Sequence, residues 1–165
     1  MTKVKMIEQI ANELESLPDE VAATKVSENF TNGQRPLVEF IFATMKDCSP
    51  EAQEIGFFIA LVLWSYFSRI GKLKSVREEG IMEKFDKATS EMQAYEGGDE
   101  SALSAILPDE VPNDEVLVFI MKELELARRD GDLIMDEVGT LYTTLKVVAE
   151  CLADAETTKG QSDET

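Results

Sequence analysis

The sequence predicts an all-α fold, and three observations carry that prediction. Apolar residues recur at spacings of three and four along most of the chain. Helix-capping and helix-stopping residues bracket those stretches. No segment alternates with period two or gathers a strand-length run of β-branched residues. The 165 residues, 44 % hydrophobic and 30 % charged, suit one soluble domain. The expected architecture is a helical bundle over residues 1–155. It consists of two related helical hairpins around a buried central helix, with N-terminal helices as cover.

Taken in order, residues 4–17 place Val4, Ile7, Ala11 and Leu14 on one helical face before Pro18. A weaker stretch at 19–31 carries Val21, Val26 and Phe30 and ends at the turn signal Asn32-Gly33. Pro36 suits the first position of a helix running to about Asp47, with Leu37, Val38, Ile41 and Met45 inward. Ser49-Pro50-Glu51 reads as N-cap, first helical residue and a carboxylate favoured by the helix dipole. That helix should stop at Gly71. Its core, 55–67, is apolar except for Gly56 and Ser65, and is too short for a bilayer crossing of about 20 residues.

Ser75 and Glu78 have capping-box spacing, and Ile81, Phe85, Ala88, Met92 and Tyr95 form a stripe that ends at Gly97-Gly98. A helical turn is expected at 101–107. From Asn113, Val116, Ile120, Leu124 and Ala127 share a face that closes on Arg128 and Arg129. After Asp130-Gly131-Asp132, with Asp132 as the expected N-cap, comes the strictest pattern in the chain. Ile134, Val138, Leu141, Leu145, Val148, Leu152 and Ala155 make one continuous seam. Residues 156–165 lack large apolar side chains and read as a disordered acidic tail.

The pairs 36–70 and 114–155 suggest an internal repeat, because Phe40-Ile41 aligns with Phe119-Ile120 and Glu54-Ile55-Gly56 with Glu137-Val138-Gly139. The copies differ on one face. In the last helix it holds Asp136, Gly139, Thr143, Lys146 and Glu150 and should be wet. In the first copy it holds Gly56, Ala60, Leu63 and Phe67 and needs a cover, either the segment 4–31 or the same face of a second subunit in a homodimer.

Charge and composition bound the function. With 33 acidic side chains, 16 basic ones and no histidine, the net charge is −17. Ser-His-Asp and Cys-His catalysis and imidazole metal sites are excluded, and nucleic-acid backbone binding is disfavoured. Cys48 and Cys151 are too few for a disulfide framework and read as small buried hydrophobes. The first residues carry no signal-peptide hydrophobic run, so a reducing cytoplasm is the expected compartment. No cofactor and no membrane contact are expected.

Residues 1–90 carry 14 acids against 11 bases, whereas 91–165 carry 19 against 5. The one basic cluster is Arg69, Lys72, Lys74 and Arg77, a stripe suited to docking on the acidic second half of this chain or of a partner subunit.

The reading that follows is a non-catalytic cytoplasmic interaction or regulatory protein, its acidic second half meeting a basic protein partner. The enzymatic alternative is a divalent-metal phosphohydrolase. Glu51 and Glu54 form an E-x-x-E pair, and Glu83 and Asp86 an E-x-x-D pair, each able to place two carboxylates on one helix face. This spacing is similar to that of the all-α nucleotide pyrophosphohydrolases, and only the spacing agrees. Two further readings start from the same residues. Glu54 and Glu137 would meet across a pseudo-twofold axis and raise one another's pKa, or each would serve as a first-turn carboxylate. Phe40, Phe42, Phe57, Phe58, Trp64, Tyr66 and Phe67 would line an apolar pocket or pack as core. A third functional reading is an acidic mimic of DNA.

Overall fold

The computed structural model describes residues 2–96 and 114–157, and the bundle is helical almost throughout. Its elements are α1 (Lys3–Glu15), α2 (Glu20–Gly33), α3 (Arg35–Thr44), α4 (Pro50–Ile70), β1 (Lys72–Leu73), α5 (Glu78–Glu96), α6 (Glu115–Arg129), α7 (Met135–Ala155) and β2 (Glu156–Thr157). Local chemistry sets most starts. Thr2, Asp19, Ser49 and Asp114 each accept a first-turn backbone N–H through the side chain, and Pro50 follows Ser49. The turn expected at 101–107 and most of the expected tail lie outside the described residues. The tail's first two residues are not disordered: β2 pairs antiparallel with β1, Leu73 opposite Glu156.

Two 21-residue helices, α4 and α7, share the centre. They run parallel, because matching levels of each meet along their length. Ser49 at the start of α4 donates its N–H to Glu137 Oε2 at 2.8 Å. Two turns in, Gly56 lies against Leu141 of α7 and Met45. Beyond their ends, β1 and β2 pair, and Lys74 N donates to Ala155 O at 3.0 Å. Gly71 makes that crossing close, since a Cβ there would strike the Glu156 side chain.

The seam of α7 is buried from Val138 to Ala155, whereas Ile134 is the exposed N-cap residue. The polar face of α7 is fully wet only at its start, where Asp136 is exposed. Residues 139, 143, 146 and 150 are half-covered because α5 packs along α7, with cross-helix ion pairs Lys84–Asp154 at 2.6 Å and Lys146–Glu91 at 3.3 Å. On α4, Gly56, Ala60, Leu63 and Phe67 are all buried within the chain. They therefore offer no surface to a second subunit in this fold. α1 packs on α4 and α6, burying Ile7, Ile10 and Ala11.

The two helix pairs expected as related hairpins pack differently. α6 lies along α7, whereas α3 rests on α7, α2 and α5 as well as on α4. The α6–α7 turn is set by Gly131, whose φ of 84° is open to glycine at little cost. Gly131 N donates to Arg128 O and Asp132 N to Ala127 O, the paired bonds of a glycine-terminated helix. Asp132 is thus spent on ending α6 through its backbone. The carboxylate that opens α7 belongs instead to Glu137, whose Oε1 accepts Ile134 N at 3.1 Å. Likewise α5 opens at Glu78, with Arg77 O accepting Ile81 N, so Ser75 stands clear of the cap.

Gln34, at the α2–α3 junction, is only 2 % exposed. Its Nε2 donates to Lys74 O and its Oε1 accepts Val76 N, both at 2.8 Å. One side-chain amide thereby supplies the pairing that a neighbouring strand would give the 74–76 segment. No helix among the described residues is long and apolar enough to cross a membrane.

Candidate interaction surface

The four carboxylates of the enzymatic reading are all exposed: Glu51 and Glu54 in the first turns of α4, Glu83 and Asp86 on the outer side of α5. α5 packs chiefly on α7 and α3, so its outward pair is turned away from the bundle. Among the described residues no three or more acidic or thiol side chains gather where a metal ion could be held. The spacing within each pair is real, but the fold does not assemble the two pairs into one site.

Glu54 and Glu137 also have separate roles. Glu54 is exposed, while the Glu137 carboxylate bridges two helix N-termini through Ser49 N and Ile134 N. Those backbone bonds hold its carboxyl below the usual carboxylate range, the opposite of a like-charge rise. Glu137 also helps to raise the thiol of Cys48, after partial burial, which is the larger cause. Burial pushes Cys151 up to about 12. Neither cysteine has the lowered pKa that a reactive thiolate needs.

The basic stripe is built into the fold through its backbone. Lys72 sits on β1, which pairs with β2, and Lys74 just beyond it donates its N–H to Ala155 O at the end of α7; their side chains are exposed, as is that of Arg77. Arg69 reaches Glu13 of α1 at 2.6 Å, a carboxylate of the first half of the chain. The hydrogen bond from Arg69 holds the Glu13 carboxyl below its ordinary range.

Phe42, Phe57 and Trp64 join through Phe30 into one run of ring contacts, and the other ring pairs stand apart from it. Phe40 meets Phe85 edge-on, Tyr66 meets Phe67, and Phe42 stacks on Phe57 at 5.3 Å. Phe30 of α2, fully buried, packs against both Phe57 and Trp64. These rings pack on one another and on the core, with one exposed edge at Phe42, 45 % accessible.

A surface that sequence reasoning found only in part, through Glu83 and Asp86, lies on the outer side of α5. Glu79, Glu83 and Asp86 recur at i, i+4 and i+7, beside Met82, which is 44 % exposed. None of the three carboxylates forms an ion pair among the described residues. Several carboxylates of the second half, by contrast, are already engaged. Glu125 binds Arg128 and Arg129, Asp154 binds Lys84, Glu137 caps two helices and Asp114 caps α6. The signal was available in the sequence: these acids lie opposite the Ile81–Phe85–Ala88 stripe that faces the bundle. Comparison with protein-family models, with curated proteins and with solved structures finds no match for this chain.

Proposed function

We propose that this protein is a non-catalytic helical interaction protein whose docking face is the outer side of α5. The observation that carries the reading is the row Glu79, Glu83 and Asp86, exposed and without ion pairs among the described residues, with Met82 set into it. A partner that fits such a row presents a basic surface with an apolar centre. The net charge of −17 draws it in, and the draw weakens as salt screens it. Met82 supplies a flexible, polarisable contact that adapts to the partner's apolar residue. Mimicry of DNA is the special case in which that basic surface is a nucleic-acid groove.

The inner side of α5 supports the reading from behind. Ile81 and Ala88 are buried, Phe85 packs on Phe40, and Lys84 and Glu91 pair with α7, so the row is carried on an anchored helix. The test compares immobilised wild type with a variant carrying Glu79→Lys, Glu83→Lys and Asp86→Lys, both exposed to one cell extract. A protein retained by wild type, released by added salt and lost from a variant of unchanged melting temperature supports the proposal. Retention indifferent to both salt and charge reversal overturns it.

A further inference from the structure

Of the N-terminal helices, α2 is held by the least. Phe30 is its one buried residue, and it packs chiefly on α3 and α4. Among the described residues no side chain of 20–33 forms an ion pair, and the side-chain hydrogen bonds of that stretch stay within 27–35. α1, by contrast, buries Ile7, Ile10 and Ala11, and it pairs Glu13 with Arg69 of α4 and Glu8 with Lys122 of α6. Local preference does not make up the difference. Thr24, Val26, Asn29, Thr31 and Asn32 are weak helix formers, and an isolated helix below about 12–15 residues is marginal in water even with good ones. α2 is helical because it is docked.

That docking rests on one ring. Phe30 lies 5.8 Å from Phe57 and 5.4 Å from Trp64, two α4 residues that stay partly exposed with α2 in place. Phe57 in turn stacks on Phe42, which reaches solvent. The two ends of the segment are secured separately, by the docked α1 before it and by Gln34, clamped to Lys74 O and Val76 N, after it. We propose that α2 is a releasable cover: residues 18–33 detach and unwind while the rest of the bundle stays folded, withdrawing Phe30 from an aromatic slot on α4 formed by Phe57 and Trp64 and open to the surface at Phe42. Seated, Phe30 blocks the slot against any other apolar group. Fraying from the N-terminal end does not open it, because Phe30 stands in the last turn, next to the clamped Gln34. The helix must let go as a unit.

Hydrogen exchange of the full chain, read as protection factors, tests the cover. In wild type, amides from Thr24 to Phe30 are at least roughly tenfold less protected than the central turns of α4. Glu137→Ala breaks a bond that both the closed and the released states keep, so it lowers protection in α4 severalfold and leaves α2 unchanged. Phe30→Ala drives the chain into the released state. There α2 loses its protection and Trp64, the one tryptophan, becomes more open to acrylamide quenching, while the central turns of α4 and α7 stay protected. An α2 as protected as α4, or one whose protection falls with that of α4 in Glu137→Ala, overturns the proposal. So does a Phe30→Ala chain that unfolds throughout, or one whose Trp64 is quenched as in wild type.

Discussion

The carboxylate of Glu137 in α7 accepts the backbone N–H of Ser49, 88 positions earlier in the chain, at 2.8 Å. This one bond joins the starts of the two longest described helices, which contacts further along, at Gly56–Leu141 and Lys74–Ala155, hold parallel. Because the second carboxylate oxygen accepts Ile134 N, Glu137 satisfies donors at two helix openings at once.

Replacing Glu137 with Ala should cost about 1–2 kcal/mol, the scale of a lost helix cap. Its pKa is lowered in the fold, so its stabilisation is present above the ordinary carboxylate value and fades as pH falls through the lowered one. Urea melts of wild type and variant at pH 7 and pH 3 check this: the gap between them should narrow at the lower pH.

Gln34 predicts a sharper contrast. Gln34→Ala leaves the buried Val76 N–H without its acceptor and should cost about 1–3 kcal/mol. Gln34→Glu keeps that acceptor but, when ionised, offers no donor to Lys74 O and places charge against it. Its destabilisation should therefore ease on acidification, because a protonated carboxyl donates again. Thermal melts across pH 4–8 read the difference.

Gly56 and Gly80 should respond with opposite sign. A Cβ at Gly56 would strike Met45 Sδ and lie 2.9 Å from Leu141 Cδ2, so Gly56→Ala forces both side chains to move. Overpacking of this kind costs about 1–3 kcal/mol, more than the gain of about 1 kcal/mol from helix propensity. At Gly80 nothing lies within 4 Å, and Gly80→Ala should stabilise by about 0.5–1 kcal/mol. Ala60→Glu, which puts a carboxylate at a fully buried site, should prevent native folding. Denaturant midpoints and circular dichroism report all three.

The two thiols should differ in access. At pH 8 in native buffer, Cys151 should stay unlabelled by a thiol-reactive dye, while half-buried Cys48 reacts slowly. Glu137→Gln should quicken labelling at Cys48, because it removes a negative charge that keeps that thiol protonated. Mass spectrometry of labelled peptides over time resolves the two sites.

Helix limits were legible wherever a cap, a proline or a glycine acts within one turn: Ser49-Pro50 opens α4 and Gly71 follows its last residue. Where the deciding group was remote, legibility failed. Asp132 had the chemistry of an N-cap, but Gly131 drew its backbone into the end of α6 and left capping to Glu137. Gln34 carried no pattern at all, since its partners lie 40 and 42 positions away. The candidate surface was half-visible: Glu83 and Asp86 stood out for their spacing, and Glu79 and Met82 joined them only once α5 showed which side it buries.

By itself the sequence determined an acidic chain of amphipathic helices, because helical period, capping and charge are properties of a few neighbouring residues. Only the tertiary structure decided that α4 and α7 lie parallel and that α5 covers the polar side of α7. The same holds for the face of Gly56, Ala60, Leu63 and Phe67, which closes within the chain. Those outcomes depend on which surfaces exclude water from one another, a competition among helices far apart in sequence that no local pattern records.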